Sequence, residues 1–199
     1  MKRLLVLTAL LFNTPALLAD TFEFAVSNDS VEASYDIALS NSFSTRISGL
    51  YADVKRADID LDKAGDVRRD TSTALASIGL YNHGKTGPVT THLGGYVFWI
   101  DPDVDNAKIG GDQSAGLALG VAIDGHITPE FLINGSLHFA PDILTSGHYQ
   151  NYLAFNTRAA YRVLPSTSLF AGYRYLAVTG DKLDAELYNG PFVGFSFSF

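Results

Sequence analysis

Four spaced aspartates are the part of this 199-residue chain that most resembles a metal site. They occupy positions 1, 3, 5 and 12 of a loop of the EF-hand type: Asp101, Asp103, Asp105 and Asp112. Calcium favours such clustered carboxylate oxygens. However, Asn106 stands where that loop needs glycine, position 12 is not glutamate, and no flanking helices are predicted. We expect a hydrated acidic loop, with a weak divalent-cation site at these aspartates as the alternative.

A phosphate-binding motif is matched in form only. Residues 79–86 fit the pattern GxxxxGK[ST] in full. A phosphate cradle needs a helix directly after the loop, whereas Gly87 and Pro88 follow here, and then another segment of alternating pattern. We interpret the match as a glycine-rich turn between strands.

Five histidines are candidate general bases: His83, His92, His126, His138 and His148. Hydrolytic chemistry needs a nucleophile, a base and an orienting group at one level of the fold. The sequence suggests two groupings, His148 with Asp142 and His138 with Ser136, and neither is a recognisable motif. We therefore expect no enzymatic activity and no cofactor, with an outer-membrane lipid-modifying enzyme or protease as a minor alternative.

The composition excludes other classes of function. The chain has no cysteine, so disulfides, thiolate metal sites and cysteine nucleophiles are ruled out. Its net charge of -7 argues against nucleic acid as a partner, because phosphate binding needs clustered lysine and arginine. Hydrophobic residues make up 47% and charged residues 18%, which is too apolar for a disordered chain.

The first 19 residues predict a secretory signal peptide. A short basic start is followed by the apolar run 4–12, and the small residue Ala19 marks the expected cleavage site. The apolar run is too short to span a membrane as a helix. We therefore divide the chain into a signal peptide at 1–19 and one domain at 20–199, which leaves the cytoplasm.

Beyond residue 19, apolar residues alternate with polar or small ones over segments of about ten residues, the span of a tilted barrel strand. Segment 114–124, for example, alternates Leu117, Leu119 and Val121 with glycine and alanine. A soluble sandwich would also alternate. The small residues of the polar face suit a narrow lumen, however, and tyrosine and phenylalanine cluster near strand ends as in an aromatic girdle. The sequence predicts an all-β fold, a transmembrane antiparallel β-barrel.

Connection lengths also alternate along the chain. Short connections are predicted at 40–42, 83–89, 125–130 and 164–168, and long ones at 53–72, 101–113, 141–150 and 179–190. Outer-membrane barrels have short periplasmic turns, long extracellular loops and both termini in the periplasm. An even strand number requires segment 21–26 as a strand, which makes about ten. Eight strands are the alternative if this segment lies outside the wall.

The end of the chain carries a pattern of aromatic residues. Phe195, Phe197 and Phe199 alternate with serine, and the chain ends on phenylalanine. A terminal aromatic residue preceded by hydrophobic residues at every second position resembles the signal that the outer-membrane barrel assembly machinery reads. We therefore expect that machinery to be a partner during biogenesis.

Seven charged residues fall on the predicted inward face: Glu23, Glu32, Asp36, Arg46, Arg158, Arg162 and Arg174. Opposite charges inside a narrow barrel should pair, because an unpaired charge there is costly. We predict a charge network that narrows or plugs the lower lumen. Segments 73–82 and 90–100 have no clearly polar face, so their inward residues are not assigned.

Five short runs resemble the YfaZ family of Gram-negative outer-membrane proteins: 28–32, 83–88, 101–105, 161–165 and 189–195. The resemblance covers essentially the whole chain after the predicted signal peptide. It implies a barrel in the cell outer membrane, and it brings no catalytic or binding residues.

Two main functions remain open. A small barrel can have a structural or interaction role in the cell envelope, in contact with outer-membrane lipid and lipopolysaccharide. Alternatively, it can be a narrow, porin-like channel for small solutes or ions. Barrels of about ten strands are normally filled by side chains, whereas open porins have sixteen or more strands. We therefore favour the structural role with a charge-plugged lumen.

Overall fold

The computed structural model describes residues 20–54, 56–59, 71–103, 113–147, 149–180 and 183–199. These residues form a closed antiparallel β-barrel with ten strands in its wall. The predicted signal peptide at 1–19 lies outside the described residues and stays a prediction. Within those ranges, no helix has the length and apolar character needed to cross a membrane.

The described elements follow in chain order: β1 (Thr21–Val26), β2 (Ser30–Ser40), β3 (Phe43–Val54), β4 (Arg56–Ile59), β5 (Thr71–Thr86), β6 (Val89–Asp103), β7 (Ser114–His126), β8 (Phe131–Ala140), a 3₁₀ turn (Asp142–Leu144), β9 (Thr145–Ser146), β10 (Tyr149–Leu164), β11 (Thr167–Gly180) and β12 (Leu183–Ser198). The short β4 pairs with the beginning of β12, and β9 pairs with β7. The other ten strands make the wall.

The first and last strands close the barrel. β1 pairs with β2 on one side and with β12 on the other, with Phe24 opposite Phe195. The pairing continues past the strand ends, where the amides of Asp20 and Phe199 each donate to the other's carbonyl at 3.1 and 3.0 Å. The prediction of ten strands with segment 21–26 in the wall is confirmed, and the alternative of eight is wrong.

Tight turns lie at the end of the barrel that carries both termini, which we call the terminal end. They occupy residues 41–42, 87–88, 127–130 and 165–166. The turn at 87–88 is tighter than the predicted connection 83–89, because β5 and β6 remain paired up to Thr86 and Val89. Gly87 has a φ of +60°, which favours glycine at this position. The opposite end, which carries the longer connections, is the loop end.

One predicted loop is largely strand. The connection expected at 179–190 is occupied by β11 up to Gly180 and by β12 from Leu183 onward. Asp184 of β12 pairs with both Thr179 and Asp58. The wall therefore extends beyond the apolar belt at the loop end. A strand that leaves the belt no longer needs apolar outward residues, so its polar composition looks like that of a loop.

The outer face of the barrel is an apolar belt. Its exposed large residues come from successive strands, and they include Ile78, Val97, Trp99, Leu119, Leu137, Phe155 and Val193. Trp99, Leu119 and Val193 are each more than half exposed. A soluble protein rarely exposes a continuous apolar surface of this kind, whereas a membrane barrel needs one toward lipid.

Candidate functional site in the barrel lumen

The lumen is divided into two halves of opposite character. At the loop end it is filled by buried apolar side chains, which include Phe98, Ile100, Tyr152, Leu176, Val178 and Leu187. We call this group the apolar cluster. The rings of Phe98 and Tyr152 stack with centroids 4.4 Å apart, and the Tyr96 hydroxyl donates to that of Tyr152 at 2.9 Å. The cluster contains inward residues of β6 and Leu75 of β5, the two strands whose inward faces the sequence left unassigned.

The terminal half of the lumen holds a polar cavity of about 380 Å³. It reaches the terminal end at Thr21, Ala38 and Ser44. Six of the seven charged residues predicted to face inward line it: Glu23, Glu32, Asp36, Arg46, Arg158 and Arg174. The alternation of period two that placed these residues on one face therefore also brings them to one cavity.

Four of these charged residues form a continuous chain of contacts. Arg158 donates to both carboxylate oxygens of Glu23 at 2.9 and 2.8 Å. Arg46 donates to both oxygens of Asp36 at 2.8 and 2.6 Å and lies 3.5 Å from Glu23. Glu23 thus joins the two arginines, and the chain Asp36, Arg46, Glu23, Arg158 crosses the lumen.

A second ion pair lies nearer the loop end. Arg174 donates a hydrogen bond to Glu32. Its guanidinium also lies over the ring of Phe192, 4.8 Å from the centroid, and Arg158 lies over Phe170 at the same distance. The flat guanidinium groups are therefore held both by carboxylates and by aromatic faces.

Arg162 lies nearer the terminal end than these charges. It lines a second, smaller cavity of about 130 Å³, together with Glu23, Arg158, His126 and Glu130. The inward positions of β10 place it two pleats beyond Arg158, toward the turn at 165–166. The structure therefore places Arg162 beside the turn, in a cavity that the Glu23–Arg158 pair also lines.

Two histidines meet inside the polar cavity. His83 and His92 lie directly opposite each other on β5 and β6, with their Nδ1 atoms 2.6 Å apart. Nε2 of His83 lies 2.7 Å from the hydroxyl oxygen of Ser44. Nε2 of His92 lies 2.8 Å from Oδ2 of Asp124. Ser44, His83, His92 and Asp124 thus form one hydrogen-bonded chain, which we call the histidine chain.

Sequence reasoning missed the histidine chain, although a signal for it was present. In a hairpin whose turn is Gly87 and Pro88, residues equally distant from the turn are paired. His83 and His92 lie four residues from Gly87 and Pro88, respectively. Recognising the tight turn, instead of a connection at 83–89, would have placed the two imidazoles together.

The other histidine groupings differ from the histidine chain. Ser136 and His138 both line the polar cavity, and Nε2 of His138 lies 3.5 Å from the Tyr81 hydroxyl. Asp142 begins the exposed 3₁₀ turn, and His148 lies outside the described residues. The pair of His148 with Asp142 is therefore not described by the structure.

The aspartates of the predicted cation site lie at the loop end. Asp101 is exposed, and Gln113 lies 3.5 Å from its carboxylate. Asp103 ends β6, whereas Asp105 and Asp112 lie outside the described residues. In the described part of the chain, no three histidine or acidic residues are grouped to hold a metal ion.

The three terminal phenylalanines face outward, Phe195 and Phe197 on β12 and Phe199 directly after it. Phe195, Phe197 and Phe199 are partly exposed. The ring of Phe195 lies 5.9 Å from that of Phe24 and 6.3 Å from that of Phe22, centroid to centroid. These aromatic residues therefore flank the seam where the chain closes on itself.

Comparison with known proteins identifies the family. A family model described as YfaZ precursor matches residues 24–199. The outer membrane protein YfaZ of Escherichia coli K12 is 31% identical over 132 residues, which are 65% of this chain and 69% of that protein.

Two solved outer-membrane structures are similar to this chain at low identity. The outer membrane protease OmpT of Escherichia coli has a TM-score of 0.50 at 12% identity, over 92% of this chain and 93% of that one. The NanC porin has a TM-score of 0.46 at 15% identity, over 92% of this chain and all of that one. The likeness to OmpT concerns the fold alone. The chain belongs to the YfaZ family and is a β-barrel protein of the outer membrane.

Proposed function

We propose that this barrel has a structural or interaction role in the outer membrane and that its lumen passes no solutes. The observation that carries the proposal is the apolar cluster. Phe98, Ile100 and Tyr152 fill the loop half of the lumen at exposures of 2% or less. Ions and small polar solutes lose their hydration in such a segment, which is costly.

The charge network is the second barrier in this proposal. Both termini of outer-membrane barrels lie in the periplasm, so the terminal end faces the periplasm. Arg46, Glu23 and Arg158 meet across the lumen on that side. A passing solute has to separate these paired charges, in addition to displacing the apolar cluster. The polar cavity is then a recess open toward the periplasm, and not one part of a continuous channel.

Single-channel recording in planar bilayers tests the proposal. The purified barrel is expected to give no steady openings. Phe98→Ala combined with Tyr152→Ala, which empties part of the apolar cluster, is expected to introduce them. Phe139→Ala removes an outward aromatic side chain of the belt and serves as the control that should stay silent.

A contrary result would support the narrow, porin-like channel. That function requires steady openings of the unaltered barrel, with a conductance that changes in Asp36→Ala or Arg162→Ala. The polar cavity favours the channel function, because it already opens the terminal half of the lumen. The apolar cluster is the reason for placing it second.

The proposed partners follow from the outer surface. The apolar belt fits the hydrocarbon of outer-membrane lipid. At the loop end, acidic residues such as Asp101 would reach anionic lipopolysaccharide through bridging divalent cations. Calcium titration tests this contact, because a barrel whose melting temperature in lipopolysaccharide does not respond to calcium would contradict it.

A further inference from the structure

We propose that the histidine chain is a hydrolytic site for small acyl esters, with Ser44 as the nucleophile and His83 as its general base. His92 and Asp124 are positioning residues in this proposal. It goes beyond the structural role proposed above and does not depend on it, because the chain lies in the periplasmic half of the lumen whether or not solutes pass. It also departs from the sequence expectation of no enzymatic activity, which rested on the lack of a recognisable motif.

The direction of each hydrogen bond supports this assignment. An ionised carboxylate only accepts, so the contact of 2.8 Å requires His92 Nε2–H to donate to Asp124. A neutral His92 then presents a lone pair at Nδ1, which accepts from His83 Nδ1–H at 2.6 Å. His83 Nε2 is left as an acceptor, 2.7 Å from the Ser44 hydroxyl.

This direction is the one that nucleophilic catalysis requires. A serine hydroxyl is activated when it donates to an imidazole nitrogen whose ring is oriented from its other side by a further group. Here the orienting group is a second imidazole, which is in turn held by a carboxylate. Asn134 donates to the other oxygen of Asp124 at 2.5 Å and thereby fixes the end of the chain.

Rigid strands position every member. Ser44 lies on β3, His83 on β5, His92 on β6 and Asp124 on β7, and these strands are hydrogen-bonded neighbours in the wall. Sites on regular elements hold their geometry better than sites on loops. The barrel therefore keeps the hydroxyl and the base together without a ligand.

The proposed reaction proceeds in two balanced steps. The Ser44 oxygen bonds to the ester carbonyl carbon while the hydroxyl proton passes to His83 Nε2. The ester carbon–oxygen bond then breaks, and the departing alcohol takes that proton. In the second step His83 removes a proton from water, the hydroxyl adds to the acyl carbon, and the acid leaves as Ser44 recovers its proton. No oxidant or further reactant is required.

The cavity sets the class of ester. Its volume of about 380 Å³ admits a small molecule but not the acyl chains of a phospholipid. Four carboxylates and three arginines line it: Glu23, Glu32, Asp36, Asp124, Arg46, Arg158 and Arg174. With neutral imidazoles this leaves one net negative charge, which disfavours anionic substrates. We infer a small neutral or cationic ester that enters from the periplasm.

A donor for the developing negative charge lies on the same strand. Arg46 is the next inward residue after Ser44 on β3, about 7 Å along the strand by strand geometry. Cationic donors aimed at the oxygen of a tetrahedral intermediate stabilise it. Arg46 donates to Asp36 through Nε and Nη2, so its remaining N–H groups are the donors that we assign to that oxygen.

Labelling with a fluorescent fluorophosphonate tests the nucleophile in the full barrel purified in detergent. Ser44 should bond to phosphorus with loss of fluoride, and Ser44→Ala should abolish the label. Ser48→Ala is the matched control, because Ser48 faces the lumen on the same strand but pairs with Ser77 at 2.7 Å. Its labelling should equal that of the unaltered barrel. A barrel that takes no label, or one labelled equally after Ser44→Ala, would overturn the proposal.

Two further variants separate positioning from a merely structural role. Asp124→Asn keeps an oxygen that can accept from His92, so labelling would be unchanged if the contact were merely structural. The proposal instead expects the labelling rate to fall by about 100-fold, with recovery in Asp124→Glu. If Asp124→Asn destabilises the barrel, two cysteine variants that keep Asp124 still test the base. The thiol of Ser44→Cys should be alkylated faster than that of Ser48→Cys, because only the former lies beside His83. Equal alkylation rates would contradict activation by His83.

Discussion

Arg158 of β10 and Glu23 of β1 are joined across the lumen by two hydrogen bonds of 2.9 and 2.8 Å, although 135 residues separate them. The two strands are not neighbours, since β11 and β12 lie between them in the wall. Backbone pairing joins each strand only to the next one, whereas this pair joins two strands that are three places apart in the wall. The contact therefore stabilises the shape of the lumen and not one hairpin.

Removing the charge of the Glu23 carboxylate should lower the stability of the barrel. Both side chains are mostly buried, so Glu23→Gln leaves Arg158 charged without its counter-charge and takes one from Arg46 as well. The loss of one partner of such a pair costs about 3 kcal/mol in the free energy of unfolding. Urea unfolding in detergent, followed by the fluorescence of the single tryptophan, Trp99, measures it.

Glu130→Gln is the control for that experiment. Glu130 is exposed in the turn at 127–130 and accepts from the Thr128 hydroxyl at 3.1 Å. A surface change of this kind should stay within about 0.5 kcal/mol. If Glu23→Gln is no more destabilising than Glu130→Gln, the ion pair does not stabilise the barrel.

The charged residues show how far sequence reasoning reaches in a barrel. Alternation of period two assigns Glu23 and Arg158 to the lumen without knowledge of any partner strand. Which charges meet depends on the relative heights of strands that are not neighbours in the wall, and no local sequence pattern contains that information. Alternation places Arg46, Arg158 and Arg162 alike in the lumen. In the structure Glu23 contacts Arg158 and Arg46, whereas Arg162 lies nearer the turn.

Inward glycines make room for the apolar cluster, and this gives a second prediction. A Cβ atom on Gly116 would lie 2.6 Å from Cζ of Phe98. Gly116→Ala is therefore expected to displace the ring and to lower the free energy of unfolding by about 1–3 kcal/mol. Urea unfolding measures the loss.

Gly135→Ala is the matched control, since nothing lies within 4 Å of a Cβ at that position. It should leave the barrel within about 0.5 kcal/mol of its original stability. Equal effects of the two substitutions would mean that Phe98 is not held against Gly116.

The apolar cluster itself was beyond sequence reasoning. In β6 both faces are apolar: Phe98 and Ile100 point inward, while Val97 and Trp99 point toward lipid. Alternation cannot distinguish a filled lumen from a lipid-facing surface, because both require apolar side chains. The pairing of β6 with β7 distinguishes the inward face from the outward one. Phe98 and Tyr96 lie opposite the small residues Gly116 and Ala118, which leave room for their rings in the lumen.

The outward belt gives a third prediction, which depends on depth. Leu119 lies near the middle of β7 and faces outward, so Leu119→Arg should destabilise the barrel in lipid bilayers by about 2–4 kcal/mol. Val163 faces outward near the end of β10, beside the turn at 165–166, and Val163→Arg should cost about 0–1 kcal/mol. Unfolding in phospholipid vesicles compares them. Similar costs at the two positions would contradict a belt whose middle lies at the level of Leu119.

The last residue gives a fourth prediction, which separates assembly from stability. The backbone of Phe199 pairs with that of Asp20, and its ring lies 6.1 Å from that of Tyr35. Phe199→Ala keeps the backbone pairing, so the refolded barrel should lose little stability in detergent. If the terminal aromatic residue is read by the assembly machinery, the same variant should reach the outer membrane in several-fold lower amounts. Val193→Ala, at an outward position of the same strand, is the control and should assemble normally. Equal amounts of all three proteins in the outer membrane would contradict a signal at Phe199, and an equal loss in refolding and in cells would assign the residue to packing alone.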